Sequence, residues 1–304
     1  MEKKSYLAID IGGTDIKWAE ITHDYHMISH GKCENHCTDS AMLIHIIEDT
    51  AVSHPRVQGI GISVPGTVKM SDPDGTFIGG GALTFMDKVP LGKLIREHCA
   101  LPCSVANDGK CCVLGEYEAG VLKGCSSGVV LALGTGVGGG IIINGQILEG
   151  FHSFAGEFSF MASDMQKEFS MHNAVGGTCG WHALKNCVLT EMNDEDSENI
   201  NGYTIFKWIE EGNEDAKKGL KQYAHQVGAL IMQIQSIVDP ECFAIAGGIS
   251  ARPELILAIQ EETAKIRDSI PFDQLPHPNI KDALLGNDAN LYGAVSHLIS
   301  SLTE

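Results

Sequence analysis

Residues 7–21 read LAIDIGGTDIKWAEI, and residues 129–148 read VVLALGTGVGGGIIINGQIL. In each, apolar and β-branched residues flank a Gly/Thr cluster, so each reads as a strand, a tight turn and a second strand. Asn144-Gly145 adds a hairpin turn signal at the end of the second stretch. Repetition of this unit predicts two related halves, each opening with a hairpin that can face a phosphate.

Working outward, residues 40–53 read as a helix with Ser40 as its N-cap, and Val57–Val64 as an apolar strand closed by Pro65-Gly66. Residues 70–82 (MSDPDGTFIGGGA) read as a loop too polar and Gly-rich for a core, of the kind that carries specificity. Residues 91–99 and 110–121 have helical periodicity, and Pro102–Ala106 reads as a strand running into Asn107-Asp108. Beyond the second hairpin, 191–202 reads as a solvated acidic loop, 214–238 as a long helix, and Cys242–Ala246 as a strand ending at Gly247-Gly248. Helices over 253–268 and 289–302 complete an alternating α/β pattern.

The 304 residues are 43% hydrophobic and 20% charged, which is ordinary for a folded globular chain. A net charge of −18 opposes DNA, RNA or anionic membranes as partners and suits a neutral polyol. No stretch has signal-peptide or membrane-spanning length, so a cytoplasmic protein with reduced thiols at its ten cysteines is expected. The pairs Cys33/Cys37 and Cys99/Cys103 have a spacing that could hold metal, but burial or helical spacing explains them as well.

Five constellations carry chemistry. Asp10-Ile11-Gly12-Gly13-Thr14 with Lys17 could hold Mg²⁺ and wrap backbone N–H groups around phosphates; a plain hairpin turn is the alternative. Five glycines within 133–140 favour backbone approach to a phosphate over a purely structural turn. Gly247-Gly248 at a strand end is a weaker signal of the same type. Asn107-Asp108, where a strand becomes a helix, fits a helix cap, the commoner use of such a pair, or a base that accepts a hydroxyl proton. Glu157, within the apolar stretch Gly156–Phe160, could bind sugar hydroxyls or make an ordinary salt bridge. No G-x₄-G-K-[ST] occurs, and strands rather than helices follow the Gly-rich segments; both disfavour P-loop and dinucleotide-binding folds. A protein-kinase catalytic loop is also lacking.

DIGGT at 10–14, GISVPG at 61–66, ND at 107–108, LGTGVGGG at 133–140 and AGE at 155–157 together resemble the ROK family, within the actin/hexokinase-like superfamily. The likeness extends to Asn290-Leu291-Tyr292-Gly293-Ala294, nearly the whole chain. It implies a two-domain actin-like ATPase (ribonuclease H-like) fold with an interdomain cleft. The expected domains are 1–120 with a C-terminal helix at about 289–304, and 121–288. It implies an ATP- and Mg²⁺-dependent sugar kinase with Asp108 as catalytic base. Asn107, Glu157, Gly66 and Gly81 would contact the sugar. Asp10 (also Mg²⁺, through water), Gly12, Gly13, Thr14, Lys17, Gly134, Thr135, Gly136, Gly138, Gly139, Gly247 and Gly248 would hold ATP. A homodimer is also implied.

Two departures narrow the expectation. Most family members have a zinc-ligating His three residues beyond the Glu and a Cys-rich loop after it; here stand Phe160 and, within GGTCGWHAL (176–184), Cys179 alone. Cys179 with His172 and His182 makes a poor tetrahedral set, so no structural zinc is expected, and Phe158, Phe160 and Trp181 should pack the loop instead. The second is Gly79-Gly80-Gly81 where hexose-specific members place a sugar-binding Asn. This combination resembles the β-glucoside kinase branch, which phosphorylates the 6-hydroxyl of β-linked glucose units; glucose and N-acetylmannosamine are alternative substrates. A sugar-sensing regulator is the reading from another class. Family repressors carry a helix-turn-helix ahead of this first motif, and only nine residues precede Asp10.

Overall fold

The computed structural model describes residues 3–193, 200–250 and 252–303. Its strands are β1 (Ser5–Ile11), β2 (Asp15–Thr22), β3 (Met27–Glu34), β4 (Ile60–Val64), β5 (Thr67–Val68), β6 (Phe77–Gly79), β7 (Cys103–Asn107), β8 (Ser127–Leu133), β9 (Val137–Ile143), β10 (Gln146–Ile147), β11 (Cys242–Ala246) and β12 (Ile280–Asp282). The helices are α1 (Ser40–Val52), α2 (Leu91–Cys99), α3 (Asp108–Glu118), α4 (Val175–Cys179), α5 (Trp181–Met192), α6 (Gly202–Glu210), α7 (Glu214–Val238), α8 (Pro253–Ser269) and α9 (Ala289–Ser301).

Two five-stranded sheets share one topology. The first runs β3-β2-β1-β4-β7 and the second β10-β9-β8-β11-β12. In each, the opening hairpin is antiparallel and the strands on its other side join in parallel. The duplication expected from the two hairpins is therefore present in the strand order.

Strand alternation assigns the faces. On β1, Leu7, Ile9 and Ile11 enter one core with Leu43 and Ile47 of α1 and Leu91 and Ile95 of α2. Tyr6 and Ala8 point the other way, onto Leu291, Val295 and Leu298 of α9, and Asp10 shares their parity. On β8, Val129, Leu131 and Leu133 enter a second core with α5, α7 and α8, whereas Val130 packs with Cys112, Val113 and Leu114 of α3. Helices α3 and α9 thus fill the space between the sheets. They meet through glycines, because a Cβ on Gly293 would stand 1.8 Å from the Cys111 carbonyl oxygen and one on Gly115 2.1 Å from that of Ala289. Glu116, fully buried, fastens the same junction: Oε1 accepts from the Leu285 N–H at 2.8 Å, and Oε2 from those of Val121 (2.8 Å) and Leu284 (3.1 Å).

Some expectations are corrected. The N-cap of α1 is Asp39, whose carboxylate accepts from the Met42 N–H at 2.9 Å, and not Ser40, the first helical residue. The strand expected from Val57 begins at Ile60. Loop 70–82 does contribute to the core, because Phe77 on β6 is 1% exposed within the first core. Within the stretch read as an acidic loop, residues 194–199 lie outside the described residues; before them α5 runs to Met192, and Asn201 caps α6. No described helix is long and apolar enough to cross a membrane.

Gly293→Ala should destabilise the protein by about 3 kcal/mol, near the upper end for overpacking, since the added methyl meets backbone that cannot rotate away. A clear fall in the thermal unfolding midpoint checks it; an unchanged midpoint would mean that α9 can move away from α3 freely.

Candidate active site

A cleft of about 430 Å³ opens between the sheets. Asp10 and Lys17 of the first hairpin line it, with Asp108, Gly109 and Cys112 of α3. Opposite stand Ala132, Gly134–Gly138, Ser159 and Gly247, and Gly286, Asn287 and Asn290 close one side. Gly12, Gly13 and Thr14 do not line it: Gly13 and Thr14 stand exposed at the hairpin tip, where the Gly13 Cβ position lies 3.9 Å from the Ala82 side chain. Thr135 is exposed at the rim and Gly248 beside Gly247 is also exposed. Gly139 is buried beneath the cleft, where a Cβ would strike the Val130 carbonyl oxygen at 2.1 Å and the Phe158 ring at 2.8 Å.

Helix α3 begins at the cleft because Asn107 caps it, accepting from the Lys110 N–H at 3.2 Å. The same side chain donates to the Gly66 carbonyl (2.8 Å) and to Asp108 Oδ1 (2.9 Å). Asp108 Oδ1 also accepts from the Gly109 N–H at 2.8 Å. Asn107 is therefore the cap, and the Asp108 carboxylate beside it lines the cleft. Gly66 (φ 89°) and Gly81 (φ 55°) lie against each other, with the Gly81 Cβ position 2.9 Å from the Gly66 nitrogen; this brings the 79–81 loop beside Asn107. Glu157 stands half-buried ahead of the 3₁₀ turn Phe158–Phe160.

Three carboxylates are desolvated together. Burial pushes Asp108 up to about 6, helped by the charges of Asp10 and Glu157 and opposed by its bonds to Gly109 and Asn107. Asp10, 8% exposed, is raised by burial, while Ser63 Oγ (2.8 Å), Asn290 Nδ2 (3.1 Å) and Lys17, 3.9 Å from Oδ2, pull it back. Glu157 is raised by burial and lowered by Lys110. Asp10 Oδ1 is occupied by its two donors, which leaves Oδ2 beside Lys17 facing the cleft; a hard oxygen ligand there fits Mg²⁺.

Cys179 is 2% exposed in the second core, its thiol pushed up to about 11 by burial, and among the described residues no three His, Cys, Asp or Glu side chains gather to hold a metal. Phe158 and Trp181 pack in that core as expected; Phe160 does not, and stands 48% exposed against Phe154, with ring centroids 5.3 Å apart.

Ser63, Asn290, Ser159 and Lys110 are site residues the sequence reading did not single out. Ser63 and Asn290 lie inside the quoted stretches GISVPG and Asn290–Ala294, but only the fold shows that both bond Asp10. Ser159 Oγ spans the β9 start, accepting from the Val137 N–H (2.8 Å) and donating to its carbonyl (3.0 Å). Lys110 gave a signal, a cation on an otherwise apolar helix face.

Two mixed sheets of one topology around a cleft with a carboxylate pair and a Gly-rich hairpin define the actin-like two-domain fold. The chain belongs to the ROK family, whose model matches residues 6–300. It is 27% identical over 296 residues to a β-glucoside kinase of Klebsiella pneumoniae, covering 95% of this chain and 94% of that one. It is 25% identical over 323 residues to a glucokinase of Halalkalibacterium halodurans, covering 96% and 94%. A ROK family protein of Streptococcus pneumoniae, solved with sucrose, superposes with TM-score 0.87 at 24% identity over 98% of this chain and 99% of that chain.

Asp108→Asn should raise the unfolding midpoint at pH 7.5–8. Its folded pKa of about 6 lies above the ordinary value of 3.8, so ionisation opposes folding fully above about 6 and not at all below about 4. The advantage should fade as pH falls through that window; a pH-independent difference would contradict the raised pKa.

Proposed function

We propose that this protein is an ATP-dependent sugar kinase that phosphorylates a hexose 6-hydroxyl, with a glucose unit of a β-glucoside as the leading substrate. The observation that carries the reading is Asp108: one oxygen is pinned by Asn107 and Gly109, and the carboxylate lies on the cleft floor between Asp10 with Lys17 and the Gly-rich hairpin. The similarity to a β-glucoside kinase and a glucokinase supports the substrate class.

In this reading the triphosphate lies along Gly134–Gly138, whose backbone can approach it closely, with Gly247 alongside and Lys17 supplying positive charge. Asp10 would hold Mg²⁺ through water, and the ion when bound would neutralise phosphate charge. Asn107 and Glu157 orient the sugar, with Gly66 and Gly81 leaving room beside it. The sugar hydroxyl attacks the γ-phosphorus in line as the bond to the ADP oxygen breaks. Asp108 takes the hydroxyl proton, giving sugar phosphate and ADP. A pKa near 6 suits a base that is ionised at neutral pH and still basic enough to accept that proton.

The division into 1–120 with 289–304 and 121–288 is part of the same proposal, supported by the separate cores of the two sheets. So are the homodimer and a cytoplasmic site of action, the latter suited to ten free cysteines. The 151–181 region is proposed to pack without zinc, and metal analysis of the purified protein checks this: a stoichiometric zinc per chain would refute it.

An ADP-release assay with cellobiose, gentiobiose, glucose, N-acetylmannosamine and fructose tests the activity, and silence with all of them would sink the kinase reading. Asp108→Asn should lower kcat by about 10²–10⁴-fold with sugar binding nearly intact. For the wild type, log kcat/KM should rise with pH and level off above about 6, because Asp108 acts only when ionised. An acid limb near the ordinary carboxylate range would remove Asp108 from the role.

A further inference from the structure

Lys110 lies in the first turn of α3, two residues after Asp108, and is 1% exposed. An ammonium group at this depth is costly unless something fixes and compensates it. Its Nζ donates to the Ser153 carbonyl oxygen at 2.8 Å, a bond that crosses from α3 to the segment following β10.

That segment needs holding. Ser153 is 1% exposed and has φ 57°, in the left-handed region that a non-glycine residue occupies when its surroundings impose it. Gly150 (φ 77°) and Gly156 (φ 86°) flank it, so three left-handed residues set the path that ends at Glu157. Two side chains grip the middle of the path. Lys110 takes the Ser153 carbonyl, and Glu149 Oε1 accepts from the Ser153 hydroxyl at 2.8 Å and from the Met70 N–H.

We propose that Lys110 is a positioning residue for the sugar end of the cleft: from α3 it holds the 149–157 segment so that Glu157 faces the same space as Asp108. This rests on the reading of Glu157 as a sugar-binding carboxylate. Lys110 acts on Glu157 through the backbone of Ser153 and through charge. The charges of Glu157 and Glu149 act on it from the segment and those of Asp108 and Cys111 from α3; Asp10 of β1 acts in turn on Asp108, and Glu149 on His297 of α9. Burial lowers the Lys110 pKa while these acids raise it, and in return Lys110 lowers that of Glu157.

Lys110→Met keeps the side-chain volume and removes the charge and the bond. Sugar and ATP are varied separately in steady-state assays, and amide hydrogen exchange is followed over residues 149–157. The sugar KM should rise about 10- to 100-fold, the range expected for a misplaced contact. The ATP KM should stay within about threefold, because only the sugar end loses its support. Exchange at Ser153–Glu157 should quicken, and the acid limb of kcat/KM should move to higher pH. Lys110→Arg, which keeps the charge, should return that limb toward the wild-type position.

A Lys110→Met protein with only a lower unfolding midpoint, and with wild-type sugar KM, pH profile and exchange, would overturn the proposal. If the wild type phosphorylates no sugar, the reading of the cleft falls instead. Exchange then decides Lys110 alone, and unchanged exchange overturns it. Should the Met variant fail to fold, Lys110→Gln, which retains a donor for Ser153 but no charge, should still move the acid limb to higher pH with a smaller rise in sugar KM, and a wild-type limb with wild-type KM overturns the proposal.

Discussion

The contact on which this site depends is made by backbone alone. Where α3 starts, the Gly109 Cβ position lies 2.5 Å from the Gly139 carbonyl oxygen, and a Cβ on Gly140 would be 3.0 Å from that of Gly109. No side chain fits between Gly109 and Gly139, and at Gly140 the Val113 side chain of α3 takes the space a Cβ would need. The first turn of α3 therefore rests directly on β9, and Asp108, the residue before Gly109, is carried to the edge of the Gly134–Gly138 turn. Along α3, Gly293 against Cys111 and Gly115 against Ala289 bring α9 equally close, and α9 delivers Asn290 to Asp10. Glycines singled out for their approach to phosphate do two kinds of work: Gly134, Gly136 and Gly138 line the cleft, while Gly139 makes the helix contact that gives the cleft its floor.

That floor concentrates negative charge in a chain already at −18. Asp10, Asp108 and Glu157 all have raised pKa values, with burial as the leading cause in each. Two lysines answer them from opposite sides. Lys17 stands 3.9 Å from Asp10, half-buried at the cleft wall, and Lys110 lies under the floor. The first lines the cleft and the second is buried, so only Lys17 reaches the open space. The hydrogen bonds divide in the same sense. Asp108 uses one oxygen on Asn107 and Gly109, and Asp10 one oxygen on Ser63 and Asn290, so each carboxylate is oriented without being saturated.

The parts legible in the sequence were those whose chemistry is local. Helices at Leu91–Cys99 and Glu214–Val238 and the strand Cys242–Ala246 match their expected bounds because periodicity and turn residues agree there. Asn144 (φ 53°) and Gly145 (φ 74°) make the turn their types announce. β3 gave little signal, since no residue of the strand is buried and one of its faces carries the polar His30, Lys32 and Glu34. Phe77 was hidden by its glycine-rich neighbours. Lys110 and Ser153 touch across 43 residues of chain, and no spacing rule links two such positions.

The two hairpins share a register but not a composition, and the difference assigns their tasks. Asp10 pairs with Lys17 one step before the last pair of the first hairpin, Ile11 with Ile16. At the same step of the second hairpin, Ala132 pairs with Gly138 before Leu133 meets Val137. Both steps face the cleft. At this step one hairpin thus presents a carboxylate and an ammonium, the other only backbone and a methyl. A charged pair on both would crowd four ionised groups around one ligand in a low-dielectric cleft, where each desolvated charge is costly unless paired. Removing side chains from the second hairpin spares that cost and leaves its backbone bare to the cleft. The duplicated fold supplies two equivalent turns, and the residues placed on them make one electrostatic and the other steric.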